Sequence, residues 1–170
     1  MAGLPTFDQL KKNYPTGDGS QVKAKIGGGV TGSWLGENTC VIRMSKAFNH
    51  ASGRRFAIPG TRAGLVTVKG ADKLNYAIRV TEFIDFLTHK YGAANIIKTG
   101  EAIEEKAFLG KTGIIAWNVN GWANARGHFT LWDGHKGLYV GGTDYWALPK
   151  KPPTDGKKDA YLVKSQLWLC

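Results

Sequence analysis

Two side chains in this sequence have the type and the setting for nucleophilic chemistry. Cys40 opens an apolar stripe of Cys40, Met44, Ala47, Phe48 and Ala51, whose spacing of i, i+4, i+7, i+8 and i+11 predicts one buried face of a helix. Asn38 or Thr39 stands where an N-cap oxygen is needed, and Gly53 stands just past the end as a stop. A thiol in a first helical turn faces the positive end of the macrodipole and that turn's N–H groups. Both favour the thiolate, the form that attacks carbonyl carbon. A small buried hydrophobe is the competing reading of such a cysteine. His128 falls on the predicted strand from Gly127 to Trp132, sharing one pleat face with Thr130 and Trp132 while Phe129 and Leu131 share the other. A cysteine at a helix start and a histidine on a later strand form the cysteine-hydrolase arrangement, with the imidazole as general base and then acid. A half-buried strand histidine is the alternative for His128. His50, His89 and His135 sit at helix ends or turns and have no better claim.

These two residues need a helix and a sheet to carry them, and the rest of the chain supplies both. Thr6-Phe7-Asp8-Gln9 reads as a capping box opening a short helix that ends before Pro15. The glycine-rich passage from Gly27 to Ser33 lacks a phosphate-loop pattern. So many glycines suit a backbone that approaches something closely, so this passage is a candidate cleft wall before the cysteine helix, and Gly32, Ser33, Trp34 and Asn38 are candidate substrate-binding residues. A flexible surface loop is the other reading. A short strand is expected at Leu65 to Val68, then a helix capped by Thr81 with Val80, Phe83, Ile84, Leu87 and Tyr91 on one face and Gly92 as its stop. Glu101 to Phe108 is expected as a short polar helix. Ile114 to Val119 and Gly127 to Trp132 read as strands, Asp133-Gly134 as a hairpin turn, and Leu138 to Val140 as the return. Lys150 to Lys158 is a loop and Tyr161 to Leu169 a closing strand. Helices first and then an antiparallel sheet make an α+β chain, expected as one domain over residues 1–170.

Composition narrows the class further. An apolar content of 42% with six tryptophans belongs to a globular protein. Two cysteines, one of them the terminal Cys170, give neither a disulfide scaffold nor the spacing of a zinc site, and no cofactor is implied. No apolar run approaches the roughly 18 residues of a membrane span. Met1 to Tyr14 lacks the hydrophobic stretch of a secretory signal, so the chain is read as made in the cytoplasm. A net charge of +10, from 23 basic and 13 acidic residues, draws the protein to polyanions such as nucleic acid, anionic membrane or an acidic cell-wall polymer.

Four segments carry a resemblance. Asn38-Thr39-Cys40-Val41-Ile42-Arg43-Met44-Ser45, Lys69 to Tyr76, Gly110 to Ile115, and Gly121 to Gly134 with its Gly-His-Phe-Thr-Leu-Trp-Asp-Gly end resemble, in order, the fourth family of type VI secretion amidase effectors. The likeness spans roughly residues 6 to 140. It implies a papain-like, NlpC/P60-like cysteine peptidase, with N-terminal helices packed on an antiparallel sheet. It implies an antibacterial toxin injected into the periplasm of a target bacterium. There the enzyme would cut the peptidoglycan stem peptide between D-glutamate, through its γ-carboxyl, and meso-diaminopimelate. By position Cys40 is the nucleophile, His128 the base, and the Cys40 N–H part of the oxyanion hole.

The family places an acidic residue after the histidine strand, often within a cysteine-containing segment. Here that hairpin is short and has no cysteines. Asp144, past the returning strand, is the preferred orienter of His128. Asp133, in the turn about 15 Å along the strand and on the opposite face, is the alternative, and a dyad helped by a backbone carbonyl is the third arrangement. Cys170 is expected to make no catalytic contribution. The implied partners are peptidoglycan, type VI delivery components and a cognate immunity protein that blocks the Cys40 cleft and is acidic, with no nucleic acid expected. Two other readings remain at this stage: a basic non-enzymatic module stacking nucleic acid or anionic glycan on Trp122, Trp132 and Trp146, and a cysteine hydrolase or transferase on another acyl substrate.

Overall fold

A computed structural model describes residues 3–36, 39–61, 64–122, 126–140, 145–154 and 159–170. The chain divides into two compact units, Met1–Gly92 and Ala93–Cys170.

The first unit is helical with one small hairpin. Its elements are α1 (Phe7–Asn13), α2 (Gly19–Ile26), α3 (Cys40–His50), β1 (Thr67–Lys69), β2 (Asn75–Ala77) and α4 (Val80–Tyr91). The expected capping box opens α1, with the Thr6 hydroxyl accepting from the Gln9 N–H and the Gln9 side chain accepting from the Thr6 N–H. On α3 the stripe of Cys40, Met44, Ala47, Phe48 and Ala51 is buried, as its spacing requires, but so are Arg43, Ser45 and Asn49. Buried polar side chains must be hydrogen-bonded, and these three tie the helix down. The Ser45 hydroxyl accepts from the Ala77 N–H at 3.0 Å, and Asn49 bonds the Asn75 carbonyl and the Ile58 N–H.

Several expectations change here. The residue before α3 is Thr39, yet its hydroxyl caps no helix N–H; it accepts from Arg43 Nε at 3.0 Å instead. Asn38 lies outside the described residues. α4 starts from Arg79, so Thr81 sits inside the helix and caps nothing. Its end is as expected, with Gly92 at φ +98. The glycine-rich passage is folded into turns at the surface. Residues Gly28–Thr31 and Ser33–Leu35 form two 3-10 turns, and Val30 joins Val22, Ile26, Ile42 and Tyr76 in a buried cluster. The close approach that its glycines permit is to the chain's own hairpin. A Cβ on Gly28, at φ +65, would lie 2.7 Å from the Ala71 nitrogen and the Gly70 carbonyl carbon.

The second unit is a five-stranded antiparallel sheet built from β3 (Ile96–Thr99), β4 (Thr112–Asn120), β5 (Gly127–Asp133), β6 (Leu138–Val140) and β7 (Tyr161–Leu169). The order is β3-β7-β4-β5-β6. The last strand therefore does not close the sheet at an edge: β7 lies inside it, paired with both β3 and β4. β5 and β6 form the expected hairpin, with Asp133 opposite Leu138. The anticipated helix at Glu101 to Phe108 is two 3-10 turns, Gly100–Ala102 and Glu105–Ala107, because Ile103 and Phe108 must both turn inward to full burial. They meet Ile115, Trp117, Val119, Trp132, Leu162 and Leu167 on one sheet face. The Trp132 indole, buried there, donates to the Phe108 carbonyl at 2.9 Å. Among the described residues no helix is long and apolar enough to cross a membrane.

Candidate active site

The two candidate side chains, Cys40 and His128, belong to separate units. Cys40 is the first residue of α3 and is 3% exposed. Backbone N–H groups of a helix's first turn have no acceptor within the helix, so they point past Cys40 toward whatever lies beyond the N-terminus. Arg43, one turn on, fixes this end of the helix. Its Nε reaches the Thr39 hydroxyl, one terminal nitrogen the Pro15 carbonyl at 2.9 Å, and the other the Gly17 carbonyl at 2.7 Å. A single guanidinium thus joins the residue preceding Cys40 to the segment leading into α2. The planar fork suits three separated acceptors, which an ammonium would not match. Sequence reasoning quoted Arg43 only as part of a motif; an arginine on a helix that is otherwise buried was the signal for this clamp.

Upstream of Cys40, the turn Ser33–Leu35 presents Trp34 at 68% exposure. Lys23 holds that turn from below, donating to the Gly32 carbonyl at 3.4 Å and the Gly36 carbonyl at 3.1 Å. The indole folds back over Gly32, where a Cβ would lie 2.6 Å from its Nε1. Of the four candidate substrate-binding residues, Gly32, Ser33 and Trp34 therefore form one pinned surface turn. A cleft of about 310 Å³ opens beside it, lined by Asp18, Gly19, Ser20, Lys23 and Gly36.

His128 stands second on β5, half-buried and opposite Trp117 of β4. Its ring stacks on Tyr145, with centroids 4.5 Å apart and planes 23° apart. Trp117 lies 6.0 Å from it at 32°. Gly127, before it, keeps the neighbouring position free of a side chain. Tyr145 escaped the sequence reading; the aromatic density of Tyr145-Trp146 was the trace it left.

Asp133 is the buried last residue of β5. The β4–β5 register runs unbroken from Asn118↔Gly127 to Thr112↔Asp133, so Asp133 lies at the far end of the strand from His128 and on the other pleat face. The structure does not bring these two residues together. Asp144 lies outside the described residues. Both cysteines are thiols; burial pushes the Cys170 thiol up to about 12 against a smaller opposing hydrogen bond from the Ile114 backbone.

Comparison with known proteins decides the class. One family profile matches residues 37–160, that of the type VI secretion system (T6SS) amidase effector protein 4, Tae4. The chain belongs to this family. It is an amidase effector of type VI secretion, with the α+β, papain-like fold of NlpC/P60 enzymes. That sets aside the non-enzymatic binding module. The Tae4 of the Salmonella Typhimurium Tae4–Tai4 effector–immunity complex is 30% identical, with a TM-score of 0.79 over 98% of this chain and 99% of that one. Enterobacter cloacae Tae4 is 27% identical, with a TM-score of 0.76 over 99% of both chains. In complex with Tai4 the Enterobacter chain matches at 28% identity and a TM-score of 0.74, over 98% of each. A comparison with curated proteins gave no match. The family match runs to residue 160, past residue 140, where the likeness read from the sequence ends.

Proposed function

We propose that this Tae4-family amidase is a cysteine enzyme that hydrolyses the γ-D-glutamyl–meso-diaminopimelate bond of peptidoglycan stem peptides, with residues 1–170 as one catalytic domain. Cys40 is the nucleophile, His128 the base and Asp144 the orienter, and no cofactor takes part. The observation that carries this is the place of Cys40 as first residue of α3, its turn locked by Arg43, in a chain of amidase family.

In the first step His128 takes the Cys40 proton, and the sulfur attacks the γ-carbonyl carbon. The negative charge that develops on the carbonyl oxygen is held by first-turn N–H groups, that of Cys40 among them. The imidazolium then returns its proton to the diaminopimelate nitrogen as the C–N bond breaks, leaving a thioester and a free amine. Water, deprotonated by His128, attacks the thioester. The acid is released, and the proton goes back to sulfur. Gly32, Ser33, Trp34 and Asn38 border the substrate.

The enzyme is made in the cytoplasm, delivered by the type VI apparatus and active in the periplasm of the target cell. The Salmonella and Enterobacter relatives are seen with the immunity protein Tai4. This chain accordingly has a cognate immunity protein, acidic to match a net charge of +10 and seated over the Cys40 cleft.

Digestion of purified Gram-negative peptidoglycan with wild type, Cys40→Ala and His128→Gln, read by mass spectrometry of the muropeptides, tests the assignment. Fragments split between D-glutamate and diaminopimelate, made by wild type alone, are expected. Cleavage at another bond would correct the substrate, and undiminished cleavage by Cys40→Ala would refute the nucleophile.

A further inference from the structure

We infer that Tyr145 is a positioning residue for the general base, holding the His128 imidazole in its working plane by ring stacking. The inference rests on the reading of His128 as that base. A histidine on a strand has free rotation about its outer side-chain bond unless something lies against its face, because that torsion is broad and weakly preferred. Here the face is covered. The Tyr145 ring lies at 4.5 Å and 23°, within the offset-stacking range of aromatic pairs.

The tyrosine is itself held from two sides. Trp117 stacks on it at 5.2 Å and 26°, and Trp122 meets it edge-on at 5.7 Å and 73°. Trp117 is in turn fixed by the ladder, since it pairs in register with His128. The three rings His128, Tyr145 and Trp117 therefore close a triangle, its third side the 6.0 Å contact between His128 and Trp117. A rotation of the imidazole about its outer bond would drive its edge into Tyr145. The stack also suits the charge that appears during the reaction. When His128 takes the thiol proton, the imidazolium lies on the electron-rich face of the Tyr145 ring, an attractive arrangement. The phenol hydroxyl has no part in either effect, which separates a ring requirement from a hydroxyl requirement.

The experiment uses the whole protein with isotope-labelled histidine and tyrosine. His128→Gln assigns the His128 resonances among the four histidines. In wild type, cross-relaxation between the His128 and Tyr145 ring protons and an upfield ring-current shift of the imidazole protons are expected. The absence of both overturns the stack without any variant having to fold. In Tyr145→Leu the imidazole resonances move downfield and kcat falls about three- to tenfold, the size of a lost stacked aromatic pair, while KM stays within about twofold. Tyr145→Phe, which keeps the ring, restores both resonances and kcat. A Tyr145→Leu enzyme with unmoved resonances or unchanged kcat overturns the role of Tyr145. A Tyr145→Phe enzyme as slow as Tyr145→Leu overturns it as well. If His128→Gln cleaves as fast as wild type, the general-base assignment is what fails, whatever the resonances of Tyr145→Leu show.

Discussion

A thiol's neighbours decide whether it can serve as a nucleophile, and the two cysteines of this chain are placed in contrasting settings. Cys40 is the first residue of a helix whose first-turn N–H groups favour an anion there. Cys170 follows β7 and is half-buried, and its desolvation there raises the thiol pKa to about 12. A thiol whose pKa is raised stays protonated until the pH approaches that value, so Cys170 carries almost no thiolate at pH 8. Mild alkylation at pH 8 followed by peptide mapping is expected to leave Cys170 unmodified, and Cys170→Ser is expected to keep the amidase rate within about twofold. Rapid labelling of Cys170, or an inactive Cys170→Ser, would show that the terminal thiol is engaged in the chemistry. At this scale the place of Cys40 at a helix start and of His128 on a strand was legible, because helix-start and strand periodicity are local patterns. Arg43 and Tyr145 were hidden because their roles depend on acceptors and rings brought from Pro15, Gly17 and Trp117, which no local spacing reveals.

The elements show the same division between local and non-local information. α1, α3, α4, β4, β5, β6 and β7 were legible through capping, apolar period and hairpin chemistry. α2 was missed because it buries only Val22 and Ile26 on a stretch otherwise made of glycine, an exposed alanine, and charged and polar residues. The edge strand β3 is four residues long, too short for an alternating pattern to stand out. The inward place of β7 was beyond reach, since strand order is set by pairing between distant segments. The glycine-rich passage was legible as a close approach, but its partner was not. That approach fixes how α2 and the Trp34 turn are held above the β1–β2 hairpin. Gly28→Ala would put a methyl group 2.7 Å from hairpin backbone at a φ of +65, where an L side chain is itself strained. Strain and overpacking together should cost about 2–3 kcal/mol of stability. Urea unfolding is the measurement, and a midpoint equal to wild type would mean that the hairpin yields at no cost.

Charge acts at the scale of the whole molecule. A net charge of +10 and a sequence pI near 9.7 give a field that no single ion pair accounts for, and much of the ion pairing present is worth little. Lys106–Glu104 and Lys151–Glu101, for example, are both solvent-exposed. The excess positive charge is therefore available to a partner. An intact sacculus is a dense polyanion, whereas a free stem peptide bears only a few charges. Attraction to the first should raise encounter and residence on the polymer; attraction to the second should matter far less. Salt screens the difference, because the Debye length contracts from about 30 Å at 0.01 M to about 10 Å at 0.1 M. Raising ionic strength across that range is expected to slow digestion of sacculi about tenfold or more while changing kcat/KM on a soluble stem peptide by no more than about threefold. Parallel rate measurements on the two substrates check this. Equal salt sensitivity would place the useful charge beside the scissile bond and not over the surface. A salt-independent rate on sacculi would mean that the basic surface serves the immunity protein or the delivery machine instead of the substrate.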